Sequence, residues 1–170
     1  HINFGENKVQ EAVDKWTDVK KNNQNIKLHM IGKLQTNKVK FAVKLFDYIH
    51  SVDSEKLASK IYEESLKINK NIKIFIQVNL AQEFQKSGIK KQQLESLVSF
   101  CRSKGLDLIG LMCIPPIEID PTEYFKEINS LNQKYGFSDL SMGMSSDYIK
   151  ASQNGSTYVR IGSNIFGERN

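Results

Sequence analysis

From one end of this chain to the other, short apolar runs alternate with longer amphipathic stretches, and few folds satisfy that pattern. Strands are expected over residues 2–4, 27–31, 48–52, 72–79, 106–114, 140–144 and 158–161, with β-branched and aromatic residues at period two. Helical stripes separate them. Leu94, Leu97, Val98 and Cys101 recur at three- and four-residue spacing, and Leu57, Ile61, Tyr62 and Leu66 form another stripe. Asp53 is the expected N-cap of the second, while Asp120-Pro121 opens a further helix after Pro115-Pro116 has ended a strand. Strands joined through helices run parallel, so the pattern predicts an α/β protein, either doubly wound or closed into a barrel. No Gly-x-Gly-x-x-Gly follows an early strand, which argues against a dinucleotide fold. The two turns best suited to phosphate follow the last two strands, as in a TIM (β/α)8 barrel. The barrel is preferred, one strand short of eight.

Size and charge narrow the function. A single domain over 1–170 is long enough for a substantial core. The formal charge of +5 comes mainly from scattered lysines without an aromatic-rich platform, so no nucleic-acid partner is expected. No apolar run reaches the ~20 residues of a membrane span. His1-Ile2-Asn3-Phe4 lacks a signal-peptide pattern, so a cytoplasmic protein is the expectation. Cys101 and Cys113 have neither metal-ligand nor redox spacing and are expected as reduced core residues. No metal site is expected.

Two segments carry candidate chemistry. In Tyr158-Val159-Arg160-Ile161-Gly162-Ser163-Asn164 a strand stops at a glycine and turns into a helix start, where free N–H groups and the helix dipole suit an anion. Strand alternation puts Tyr158, Arg160 and Gly162 on one face. Met142-Gly143-Met144-Ser145-Ser146-Asp147 is a second turn of this kind, so Ser145 and Gly162-Ser163 would flank one phosphate from adjacent strands. An ordinary strand-to-helix turn with a solvent-reaching arginine fits the same residues, and both readings stand. Asn7 follows the first strand as a ligand group or a helix cap. His29 faces the interior as a pocket residue or a satisfied buried histidine. Lys86 sits in a loop that reaches the barrel mouth or is one more solvated lysine.

Longer motifs go further. Asn3-Phe4-Gly5-Glu6-Asn7, His29 to Lys38, His50-Ser51-Val52-Asp53, Gln77-Val78-Asn79, Lys86-Ser87-Gly88, Gly110 to Pro116, Leu140 to Ser145 and Gly155 to Gly167 occur in order. Together they resemble the pyridoxal 5′-phosphate homeostasis protein family, whose fold is similar to the N-terminal barrel of alanine racemase. The resemblance implies a protein that binds pyridoxal 5′-phosphate without established turnover and takes part in vitamin B6 and amino-acid homeostasis. An alanine-racemase-like enzyme is the alternative. It implies that Ser145, Gly162 and Ser163 hold the cofactor phosphate, that Arg160 faces the pyridine nitrogen, that Asn7 and His29 line the pocket, and that Lys86 lies near the mouth. Amino acids and pyridoxal-phosphate-dependent apoenzymes are the implied partners, and a monomer the implied state. The family's Schiff-base lysine belongs to a first strand upstream of the Phe-Gly-Glu-Asn motif. One strand–helix unit of about 30 residues is therefore expected ahead of His1. Its absence would leave residues 2–4 and 158–161 as unpaired edges, with Lys33 or Lys86 as substitute amines.

Overall fold

The computed structural model describes residues 1–81 and 87–167. Seven strands alternate with seven helices: β1 (Asn3–Glu6), α1 (Val9–Asn22), β2 (Lys27–Met30), α2 (Val39–Leu45), β3 (Tyr48–Val52), α3 (Glu55–Lys67), β4 (Lys73–Gln77), α4 (Leu94–Ser103), β5 (Asp107–Met112), α5 (Thr122–Lys134), β6 (Asp139–Met144), α6 (Tyr148–Gln153), β7 (Tyr158–Arg160) and α7 (Ser163–Phe166). The strands form one sheet in sequence order, and every neighbouring pair is parallel. Among the described residues β1 pairs only with β2 and β7 only with β6, so the expected open edges are present. The sheet is nonetheless rolled. The Tyr158 ring of β7 lies 5.9 Å from that of Tyr48 on β3 and 5.5 Å from that of Phe75 on β4. This is a TIM-type barrel, nearly closed.

Two apolar layers explain the roll. Outward side chains such as Ile49, Ile74, Ile76, Leu111 and Leu140 are fully buried beneath the helices. Inward ones, Tyr48, His50, Phe75 and Tyr158, pack ring on ring. Strands buried on both faces are what parallel sheets require. In α4 the stripe Leu94, Leu97, Val98 and Cys101 is buried throughout. In α3 it departs from expectation: Leu57, Ala58, Ile61 and Ser65 are buried and Leu66 is 61% exposed. Leu66 follows Leu57 by nine residues, half a turn around a 3.6-residue helix, and so faces solvent. The cap of α3 is Ser54 rather than Asp53, its hydroxyl accepting the Leu57 N–H at 3.3 Å. Asp120 does serve α5, accepting from both the Thr122 N–H and hydroxyl.

At the N-terminal end of the barrel a carboxylate ties three elements together. Asp47 Oδ2 accepts from Lys20 Nζ of α1 at 2.6 Å and from the Leu28 N–H of β2 at 2.8 Å. Burial would raise this carboxyl, but the Lys20 hydrogen bond and the Leu28 N–H outweigh it and hold it below its ordinary value. Lys70 caps the end of α2 through the Phe46 carbonyl at 2.7 Å, and its burial pulls the amine down to about 8. Both cysteines are free and buried, and burial pushes each thiol up to about 12. Among the described residues no helix is long and apolar enough to cross a membrane.

Candidate functional site

Parallel strands deliver their C-terminal ends to one rim, and the turns that leave them form the mouth of the barrel. The turns after β6 and β7 meet there. Ser145 Oγ accepts the Gly162 N–H at 3.1 Å, and the Asn164 amide donates to the Ser145 carbonyl at 3.0 Å. Gly143 makes the approach possible. Its φ of +94° is left-handed, and a Cβ there would lie 2.5 Å from Ala151 Cβ, so α6 could not close on β6. Gly162 and Ser163 are exposed, and Gly162 occupies the cap position of α7.

Arg160 is the last residue of β7, and its half-buried side chain points into the barrel. Nη1 donates to Ser141 Oγ at 2.7 Å and Nη2 to the Cys113 carbonyl at 2.9 Å, which fixes the guanidinium against β6 and the end of β5. Behind it runs a chain of polar contacts, buried except at its Asn3 end. His50 Nδ1 lies 2.8 Å from Ser141 Oγ, His50 Nε2 lies 2.9 Å from His29 Nδ1, and His29 Nε2 lies 3.1 Å from Asn3 Oδ1. His29 also stacks on Tyr48 at 4.2 Å, and His50 on Phe75 at 4.2 Å.

Burial governs the charges here. Desolvation pushes His29 down to about 4, with Lys20 adding to the effect and Asp47 opposing it. His50 is 1% exposed and is driven well below its ordinary value by burial, then by His29 and Arg160. Both rings are neutral at pH 7. Burial and the Tyr48 hydroxyl raise the Tyr158 phenol, so it also stays neutral. Arg160 carries the positive charge of this cluster.

Of the residues singled out in the sequence, Ser145, Gly162 and Ser163 come together at the rim and Arg160 stands on the wall below them. His29 joins Arg160 only through His50 and Ser141. Asn7 is exposed after β1, where it does not cap α1; that position is Lys8. Its backbone meets Gly32, where a Cβ would sit 2.3 Å from the Asn7 carbonyl oxygen. Lys33 is exposed in the loop after β2, and Lys86 lies outside the described residues. The sequence reading missed His50, Ser141 and Asn3. Alternation offered a signal for two of them, since Tyr48 and His50 share one face of their strand, as do Ser141, Gly143 and Ser145. Among the described residues no group of three or more His, Cys, Asp or Glu is placed to hold a metal ion.

Residues 2–170 match the family described as alanine racemase, N-terminal domain. A pyridoxal phosphate homeostasis protein of Vibrio cholerae is 42% identical, over 98% of this chain and 75% of that protein. One from Aquifex aeolicus is 36% identical, over 98% and 76%. PipY of Synechococcus elongatus, solved with pyridoxal phosphate bound, superposes with a TM-score of 0.86 at 31% identity, covering 98% of this chain and 82% of that one. Alanine racemase of Clostridium difficile shares the fold, with a TM-score of 0.72 at 13% identity over 99% of this chain and 45% of the enzyme. With its barrel, its paired rim turns and relatives of this identity, the chain belongs to the alanine racemase N-terminal domain family and, within it, to the pyridoxal phosphate homeostasis proteins.

Proposed function

We propose that the chain binds pyridoxal 5′-phosphate at the barrel mouth and serves intracellular homeostasis of that cofactor rather than turning over a substrate. The observation that carries this reading is the juxtaposition of the two rim turns with a half-buried arginine on the wall below them. The donor set fits the molecule. The Gly162 N–H and the hydroxyls of Ser145 and Ser163 are neutral donors suited to a phosphate dianion. The 3.1 Å contact between the Gly162 N–H and the Ser145 hydroxyl exchanges readily for contacts to an anion. When bound, pyridoxal phosphate supplies an aldehyde that captures amines and a ring that draws electrons from them.

The residues of this chain set how far that chemistry goes. Arg160, facing the ring nitrogen, has only hydrogens to offer and keeps that nitrogen unprotonated. An unprotonated ring draws electrons weakly, which suits holding and releasing the cofactor better than transamination. Ser141 and the Cys113 carbonyl keep the guanidinium from swinging out. Asn7, exposed after β1, is proposed as a further contact at the mouth, while His29 acts behind Arg160 rather than on the ligand. Amino acids and pyridoxal-phosphate-dependent apoenzymes are the proposed partners of a monomer acting in the cytoplasm; the name of the relatives supports the homeostatic role alone.

Titration with pyridoxal 5′-phosphate, pyridoxal and a sugar phosphate tests the reading. Saturable binding that needs both the phosphate and the pyridine ring is expected. Ser145→Ala and Arg160→Ala should each weaken it about tenfold or more, the scale of a lost hydrogen bond to a charged group. Equal binding of the sugar phosphate would overturn the assignment. Racemisation of alanine or serine by the loaded chain would replace it with the racemase alternative.

A further inference from the structure

With Asn3 Oδ1 turned towards a neutral His29, the polar chain behind Arg160 takes one arrangement of hydrogens. Asn3 Oδ1 only accepts, so His29 Nε2 must carry a hydrogen. A neutral His29 then has a bare Nδ1, and His50 Nε2 must donate to it. That leaves His50 Nδ1 bare, so the Ser141 hydroxyl donates to it and turns its lone pairs towards Arg160. The Arg160 end is compatible with this order, because the Ser141 oxygen keeps lone pairs to accept from the guanidinium. All hydrogens point from β7, through β6, β3 and β2, to the edge strand β1.

We infer that His29 and His50 are positioning residues for Arg160, acting as a one-directional relay that holds the Ser141 hydroxyl as an acceptor for the guanidinium. The inference rests on the proposed role of Arg160 at the ring nitrogen. Without His50 the Ser141 hydroxyl is free to rotate, and Arg160 loses its fixed acceptor. The relay also explains a cost that packing alone does not. Two imidazoles and a hydroxyl are sealed inside an aromatic barrel, where apolar residues of similar volume would be easier to bury. Every nitrogen of the two rings has a partner, which marks a built network rather than a stranded one.

Ring-nitrogen NMR of the uniformly labelled chain at pH 7 decides the point without ligand. Both histidines are expected as Nε2–H tautomers, and the Arg160 guanidinium hydrogens as resolved, slowly exchanging signals. In His50→Phe those signals should broaden or vanish. In His50→Asn they should persist, because the Asn oxygen replaces Nδ1 as acceptor for Ser141. An Nδ1–H tautomer at either ring overturns the relay, as does an unchanged Arg160 signal in a folded His50→Phe. The tautomers are read on the unaltered chain, so the test holds even where that variant does not fold. A second arm uses pyridoxine 5′-phosphate, which has no aldehyde, against benzyl phosphate, which has no ring nitrogen. His50→Phe should reduce the preference for the former about tenfold and leave benzyl phosphate binding unchanged. Should neither phosphate bind the unaltered chain, the cofactor reading fails while the NMR still decides the relay.

Discussion

Acid should loosen this barrel well before its carboxylates titrate. The perturbation is a shift from pH 7 to pH 5. His29 has an ordinary value of 6.5 and lies at about 4 in the folded chain, because burial favours the neutral ring. A depressed folded value means that the unfolded chain binds the proton first. Stability is therefore full above pH 6.5 and falls as the pH drops towards 4. Between pH 7 and 5 the loss from His29 is about 2 kcal/mol, approaching 1.36 kcal/mol per pH unit in the steep part of that window. His50 is shifted in the same direction by burial and by its neighbour, so its protonation adds to the loss. Even the His29 part is a sizeable fraction of the 5–15 kcal/mol typical of a domain. Asp47, whose folded value is lowered from 3.8, contributes stability that is lost only below that pH and does not enter the window. Urea denaturation followed by circular dichroism at the two pH values measures the effect as a fall in midpoint at constant slope. The reasoning is refuted if the midpoint does not move, or if a folded His29→Phe/His50→Phe variant shows the same fall.

Other perturbations test separate parts of the fold. Asp47→Ala leaves Lys20, Lys70 and the Leu28 N–H without their common acceptor and should cost about 2–4 kcal/mol by urea denaturation at pH 7. Gly32→Ala drives a methyl to 2.3 Å from the Asn7 carbonyl, so the β1 and β2 turns must separate. A melting temperature lower by several degrees is expected, and an unchanged one contradicts the close approach. Cys101 and Cys113, with thiols pushed up to about 12 by burial, should resist a maleimide in the native chain and react fully in urea.

Periodicity carried most of the architecture. Each of the seven strands was legible to within one or two residues at most ends because the apolar runs are short and glycine, proline or a cap residue interrupts them. Leu66 and Asp53 were misread for local reasons: a stripe drifts around a helix, and a serine one position later competes for the cap. At the site, Ser145, Gly162, Ser163 and Arg160 stood out because turn chemistry is written in consecutive residues. His50, Ser141 and Asn3 did not. Their meaning lies in contacts between residues 91 and 26 positions apart, which the closure of the barrel creates and no short window contains.

The edge strand β1 comes with its own reporter. Trp16, the one tryptophan in the sequence, donates from Nε1 to Glu6 Oε1 at 2.7 Å, and its ring lies 4.9 Å from that of Phe4. Glu6 ends β1, and Lys15 holds the same oxygen at 2.7 Å. The indole is thus clamped to an edge strand, which among the described residues pairs with β2 alone. Its emission and anisotropy report on that margin of the barrel alone. A second chain adding a strand there, or β1 peeling from β2, would change the fluorescence before any change in total secondary structure could be measured.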